Sequence, residues 1–263
     1  MTNDIVFSIA AMFIVPLFAV LVPIFIGQRY GVYRSKKTPE KESSPVSTIV
    51  SAALGLLAFF LAFIFQIAVN RYMDRREMLI NEVTTIRTAY LRSGLVPEPF
   101  RSGTRKYIIE YTDLRVELAE DISKLDRSMA RTEQILDTLW NYSERIAEQD
   151  RSSEAYSLYI SSVNDLVDKY NQRVTISLEY RIPESVLYTL CVITFLSMFT
   201  LGYQIGLSGR TSLRLSIVLA IIFAIIIFLI LALDRPELGL TRLNQKPVLK
   251  LQQQLHESVQ MKQ

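Results

Sequence analysis

The sequence predicts an all-α protein, a four-span transmembrane helical chain with a helical-bundle insert between spans 2 and 3. Three observations predict it. Four long apolar runs, Ile5–Gly27, Ile49–Asn70, Val186–Leu207 and Leu215–Leu233, each have the length to cross a hydrocarbon core of roughly 30 Å at 1.5 Å per helical residue. Between the second and third runs the chain is polar, with apolar residues every three or four positions, the period of an amphipathic helix. No stretch of useful length alternates as a strand would, and no Asn-Gly turn joins two apolar runs. A hydrophobic fraction of 50% and a mean hydropathy of +0.23 fit a polytopic membrane protein with one sizeable water-facing part. The expected division is residues 1–70 for spans 1 and 2 with a basic loop 28–44, 71–183 for the helical water-facing domain, 184–234 for spans 3 and 4, and 235–263 for a polar C-terminal tail.

Span 1 follows Met1-Thr2-Asn3-Asp4, which has no Lys or Arg, so it reads as a retained helix rather than a cleaved signal. Pro16 and Pro23 are expected to kink it or remove backbone bonds, which neighbouring helices tolerate. It is expected to end near Gly27. The connection Gln28–Ser44 carries Arg29, Arg34, Lys36, Lys37 and Lys41 and is punctuated by Pro39 and followed by Pro45. Span 2 opens with Ser51, Ala52, Ala53 and Gly55; the Ser51/Gly55 spacing lets another helix approach closely. Phe59, Phe60, Phe63 and Phe65 follow, then Gln66.

The helix of span 2 is expected to continue into water through Tyr72, Leu79, Val83, Ile86 and Tyr90, until Gly94 and Pro97-Glu98-Pro99 stop it. A second insert helix reads from Pro99 to Asp121, with Phe100, Thr104, Tyr107, Tyr111, Leu114 and Leu118 on one side. A third reads from Asp126 to Ala147, using Met129, Ile135, Leu136, Leu139, Trp140 and Ile146. Ser152 or Ser153 caps a fourth, which continues through Tyr156, Tyr159, Val163, Leu166, Val167, Tyr170 and Val174. Pro183 marks the return to the membrane. In span 3, Thr194, Ser197, Thr200 and Gln204 fall within about a third of the helix circumference. Such a stripe is either a seam against another helix or a wall facing water. Span 4 is nearly all Ile, Leu, Phe and Ala and suits a lipid-facing shell. An exposed tail follows, with an amphipathic stretch near Val248–Val259.

Much chemistry is excluded. The only histidine is His256 and the only cysteine Cys191, so no intramolecular disulfide can form. There is no Cys-x-x-Cys, zinc spacing, phosphate loop or nucleophile elbow, so neither an enzyme nor a cofactor or metal is expected. A net charge of +3 without a basic, aromatic-interleaved block excludes nucleic acid as the expected partner. The central parts of the spans carry no charge, which disfavours a proton-coupled pump. Basic residues after span 1, with Arg210 and Arg214, would place the short loops in the cytoplasm and the insert outside; Arg71, Arg75, Arg76, Arg235, Arg242, Lys246 and Lys250 largely cancel that bias.

The run from Asn81 to Arg92 (Asn-Glu-Val-Thr-Thr-Ile-Arg-Thr-Ala-Tyr-Leu-Arg), followed by Leu95-Val96-Pro97-Glu98-Pro99, resembles the bestrophin-like family of bacterial membrane proteins. Arg101, the Tyr107–Tyr111 stretch and Asp113-Leu114-Arg115 resemble that family's next block. Leu233-Asp234-Arg235-Pro236, with Gly239 and Pro247, resembles its C-terminal block, although Glu237-Leu238 stands where the family often places Phe, and Val96 interrupts the Leu-Pro-Glu-Pro motif. The resemblance implies a distant relation to bestrophins, pentameric anion channels whose second transmembrane helix lines the pore. It also implies a multi-pass protein of the bacterial inner membrane, with insert and termini in the cytoplasm. No acidic run lies beside span 4, so calcium control is not carried over.

On that reading a hydrophobic neck falls on span 2, where Phe59, Phe63 and Gln66 share one face; otherwise these residues face lipid or other helices. Glu82 shares a face with Ile86 and Tyr90, so it points into the bundle and needs a partner, Arg101, Arg105 or Arg115. Either that pair fixes hairpin register, or Arg75, Arg76 and Arg87 form an anion-attracting vestibule near the pore mouth. The expected function is an oligomeric anion channel. The expected partners are the lipid bilayer, further copies of the chain and inorganic anions. The alternative is a membrane-anchored helical interaction module without transport activity.

Overall fold

The computed structural model describes residues 2–37, 43–178, 181–208, 213–235, 241 and 243–260. Pro39, Lys41, Arg210, Pro236 to Gly239 and Arg242 lie outside the described residues. Among the described residues the regular structure is helical, without strands: α1 Thr2–Lys37, α2 Ser43–Arg92, α3 Phe100–Glu120, α4 Leu125–Gln149, α5 Glu154–Leu178, α6 Glu184–Leu207, α7 Leu213–Asp234 and α8 Lys246–Gln260. Helices α1, α2, α6 and α7 are long and apolar enough to cross a membrane. The chain divides into two compact units, Met1–Tyr72 with Arg181–Arg242, and Met73–Tyr180 with Leu243–Gln263. Helix α2 is 50 residues long and contributes to both.

The first unit holds α1, α2 as far as Tyr72, α6 and α7. Its core is built from Val20 and Ile24 of α1, Leu57, Leu61 and Ile64 of α2, Leu190 and Met198 of α6, and Ala220, Ile227 and Ile230 of α7. In lipid the hydrophobic effect does not drive helices together, so close packing and polar contacts must. Glycines supply the close packing between α1 and α6. A Cβ on Gly27 would stand 2.2 Å from the Phe199 carbonyl oxygen, and one on Gly31 2.3 Å from that of Tyr203. Reciprocally, a Cβ on Gly202 would meet the Ile24 carbonyl oxygen at 2.2 Å, and one on Gly206 that of Gln28 at 2.3 Å. The obstacles are backbone atoms, so they cannot swing aside.

This crossing changes two expectations. Helix α1 does not end at Gly27 but runs through Lys37, because Gly27 and Gly31 are contact points rather than breakers. Pro16 and Pro23 stay inside the helix. The Ser51/Gly55 pair is not where a helix of this chain approaches: a Cβ on Gly55 has no atom within 4 Å. Helix α7 buries one side and exposes the other, where Val218, Ile221, Ile222, Ile225 and Leu229 lie. At its end the buried Asp234 carboxylate accepts the Ile182 backbone N–H at 3.0 Å, tying the segment that enters α6 to the end of α7.

The second unit packs α2 from Met73 onward with α3, α4, α5 and α8. The expected stripes form its core: Ile86 and Tyr90 from α2, Phe100 and Tyr111 from α3, Ile135, Leu136, Leu139 and Ile146 from α4, and Tyr159, Val163, Leu166 and Tyr170 from α5. Ser153 caps α5 by accepting the Tyr156 N–H at 3.4 Å. Trp140, expected in the core, is 41% exposed; Leu139 and Leu136 take the inward positions beside it. The amphipathic stretch of the tail forms α8, and it is docked rather than exposed. Its Leu251 and Leu255 enter the core of this unit, and Val248 packs with Leu79 and Val116. Gln252 and His256 of α8 contact the Asp113 carboxylate of α3 at 2.7 Å and 2.9 Å.

The glycine seam sets a clear ranking of substitutions. Gly206→Ala forces α1 and α6 apart and is expected to destabilise the detergent-solubilised protein by about 1–3 kcal/mol, the usual cost of overpacking. Gly55→Ala meets nothing in this chain and relieves helix entropy. Thermal unfolding should therefore show a clear fall for Gly206→Ala and none for Gly55→Ala; equal effects would contradict the seam.

Candidate functional site

Glu82 is 1% exposed, on the α2 face that also carries Leu79, Ile86 and Tyr90. A carboxylate there requires neutralisation and hydrogen bonds to every lone pair it cannot give to water. Its Oε1 accepts from the Tyr111 hydroxyl at 2.6 Å, the Arg115 Nε at 3.1 Å and the Arg173 Nε at 3.0 Å. The Arg115 Nε also reaches Oε2 at 3.2 Å. One side chain therefore ties α2 to α3 and α5. Burial pushes the Glu82 pKa up, but the Arg115 and Arg173 guanidiniums and the Tyr111 hydroxyl more than offset it, so the carboxyl sits below its ordinary value. Burial and the Glu82 charge push the Tyr111 hydroxyl well above its ordinary value, so it stays a donor.

Of the three partners proposed from sequence, only Arg115 reaches Glu82. The Arg101 Nε instead donates to the Val96 carbonyl at 3.1 Å, and the Arg105 Nε to the Ser93 hydroxyl at 3.2 Å. Arg173 was not anticipated. The signal was present, because Tyr159, Val163, Leu166, Tyr170 and Arg173 follow the three-and-four spacing of one helical face. The first two of the three sequence blocks that resemble the bestrophin-like family thus meet here: Glu82 comes from the first, and Tyr111 and Arg115 from the second. Arg75 is also buried, at 5% exposure, whereas Arg76 and Arg87 are exposed.

In the first unit the opposite side of α2 is bare. Phe59 is 71% and Phe63 56% exposed, and Gln66 shares their face. Ala52, Leu56 and Asn70 extend that face at the same three-and-four spacing, all exposed. The Gln66 amide donates to the Asn70 side-chain oxygen at 2.7 Å. From Ile217 to Leu229 the exposed side of α7 is purely aliphatic by comparison. Beyond Tyr72, the exposed positions of α2 in the second unit are Met73, Asp74, Arg76, Glu77, Ile80, Thr84, Arg87 and Leu91.

The polar stripe of α6 turns inward. Thr194 and Ser197 are buried, and Thr200 and Gln204 half-buried. The Ser197 hydroxyl donates to the Ala53 carbonyl of α2 at 3.2 Å, and that of Thr200 to the Ser197 carbonyl at 2.9 Å. A buried bond also joins α1 to α7, from the Gln28 amide to the Ser216 hydroxyl at 2.7 Å. Among the described residues, no three His, Cys, Asp or Glu side chains group as metal ligands.

Replacing Glu82 by Gln leaves two buried guanidiniums without their anion, so a loss of about 3–5 kcal/mol is expected. The wild-type carboxylate stabilises the fold above its unfolded pKa. Its contribution disappears as pH falls through the depressed folded pKa. Denaturant unfolding across the acid range should show that limb in the wild type and a flattened one in Glu82→Gln. Unchanged stability in the variant would contradict the cluster's role.

A bestrophin-like domain model matches residues 16–248. No curated protein matches the chain. Among solved structures, a bacterial bestrophin homolog from Klebsiella pneumoniae with a tryptophan-to-alanine mutation is similar at 15% identity and a TM-score of 0.66, covering 95% of this chain and 97% of that one. A tyrosine-to-alanine variant of the Klebsiella homolog gives 15% identity and 0.64, over 93% and 98%. A membrane protein with a proline-to-alanine mutation gives 16% and 0.64, over 95% and 98%. At these identities the likeness shows the fold. The domain match, which covers most of the chain, shows the family: this protein belongs to the bestrophin-like family.

Proposed function

We propose that the protein is a subunit of an oligomeric ion channel, conducting anions passively along a pore that copies of α2 line. The observation that carries this reading is the bare face of α2. A helix against lipid gains nothing from Gln66 and Asn70, and polar side chains at bilayer depth usually face a partner or water. Four spans of one chain leave little room for a pore, whereas rotational symmetry would bring this face of each copy to a common axis. Phe59 and Phe63 would then form the hydrophobic neck and Gln66 a polar ring beside it. Thr194, Ser197, Thr200 and Gln204 would serve as the seam that backs α2 rather than as pore wall. Arg76 and Arg87, multiplied by symmetry, would raise the anion concentration at the mouth; the burial of Arg75 leaves it a structural role. The family relation supports placement in the bacterial inner membrane with insert and termini cytoplasmic.

The test is reconstitution of the full chain in liposomes with a chloride-flux readout, alongside the mass of the detergent complex. A discrete oligomer that passes chloride is expected, with flux increased by Phe63→Ala because the neck widens. A stable monomer or dimer without flux would instead favour a membrane-anchored interaction module.

A further inference from the structure

We infer that the second unit carries a binding site for a small amphipathic monoanion, of the medium-chain aliphatic carboxylate class, in the groove between α3 and α8. The groove has a volume of about 610 Å³, within the range of small-molecule sites. Its apolar wall is formed by Tyr90, Ile109 and Val259, and Arg105 and Lys106 line it from α3.

Four cations of the unit are already neutralised within it. Arg115, Arg173, Lys124 and Arg131 each sit against a carboxylate. Arg105 and Lys106 have no carboxylate oxygen within ion-pair distance among the described residues. Arg105 is nevertheless held in place: its Nε donates to the Ser93 hydroxyl at 3.2 Å, and its guanidinium lies 5.4 Å from the Tyr90 ring centroid. Tyr90 is itself fixed by a 2.6 Å bond between its hydroxyl and that of Ser258 on α8. A preorganised guanidinium beside an apolar wall is the arrangement that accepts an anionic head and shelters an aliphatic tail.

The charge count selects a monoanion. His256 also lines the groove but is engaged with Asp113 at 2.9 Å. Glu98, the carboxylate within the groove, accepts the Ser102 N–H at 3.1 Å. Arg105 and Lys106 against Glu98 leave one net positive charge. The site does not depend on whether the chain conducts ions, since it uses only groups of the helical unit.

The test is equilibrium dialysis of labelled octanoate against the full chain in phosphatidylcholine nanodiscs, with empty nanodiscs subtracted and acetate as the short-chain comparison. Saturable binding of octanoate is expected, about tenfold tighter than acetate because the tail is sheltered. Lys106→Gln, which removes part of the head contact, and Val259→Glu, which places a like charge in the groove, should each weaken it about fivefold or more. Arg145→Gln, an exposed cation of α4, should leave it unchanged. Arg105→Gln is less useful because Arg105 also supports Ser93 and Tyr90. Non-saturable uptake, or equal binding by wild type, Lys106→Gln and Val259→Glu, would overturn the proposal.

Discussion

The helical unit depends on one buried carboxylate. Glu82 lies where α2, α3 and α5 converge, and it is neutralised by groups from both other helices. Apolar packing alone would permit sliding or rotation among helices whose stripes are much alike. A buried charge with directional partners allows one register, because any other leaves guanidiniums without an anion. This gives a physical reason for the Glu82 and Tyr111–Arg115 blocks to be recognisable as sequence: they are the two sides of one contact.

The membrane unit is organised by shape instead. Gly27 and Gly31 of α1 meet Gly202 and Gly206 of α6 with backbone against backbone, so the helices need no large side chains to lock together. Hydrogen bonds from Ser197 to α2 and from Gln28 to α7 add fixed points in a medium without water. Together these contacts consume the inward faces of α1, α6 and α7 and one side of α2. The remaining side of α2 carries two phenylalanines, a glutamine and an asparagine, a composition unlike the aliphatic face that α7 exposes from Ile217 to Leu229.

The spans and insert helices were legible in the sequence because twenty-residue apolar runs and three-and-four spacing report burial directly. Glu82 was legible as a buried charge for the same reason, since it interrupts an apolar stripe. Its partner Arg173 was not, because it lies 91 residues away and periodicity does not say which stripes meet. Small-residue spacing had the same weakness: Ser51/Gly55 satisfied it and Gly27/Gly31 satisfied it, but only the latter has a facing glycine pair. Trp140 shows the converse limit, where a residue at the edge of an apolar stripe stays at the surface. The docking of α8 was hidden because an amphipathic stretch in a tail does not name the surface it covers.

A fixed helical unit, a tightly seamed membrane unit and one unpartnered α2 face together form an account in which α2 borders a water-filled path. The most direct measurement is thiol reactivity in the reconstituted protein, with Cys191 replaced by Ala and single cysteines placed at Phe59, Phe63 or Gln66 of α2 and at Val218 or Ile222 of α7. A charged, membrane-impermeant thiol reagent should modify the α2 positions and block anion flux while sparing the α7 positions. Modification rates at α2 as low as those at α7, or modification without any change in flux, would contradict it.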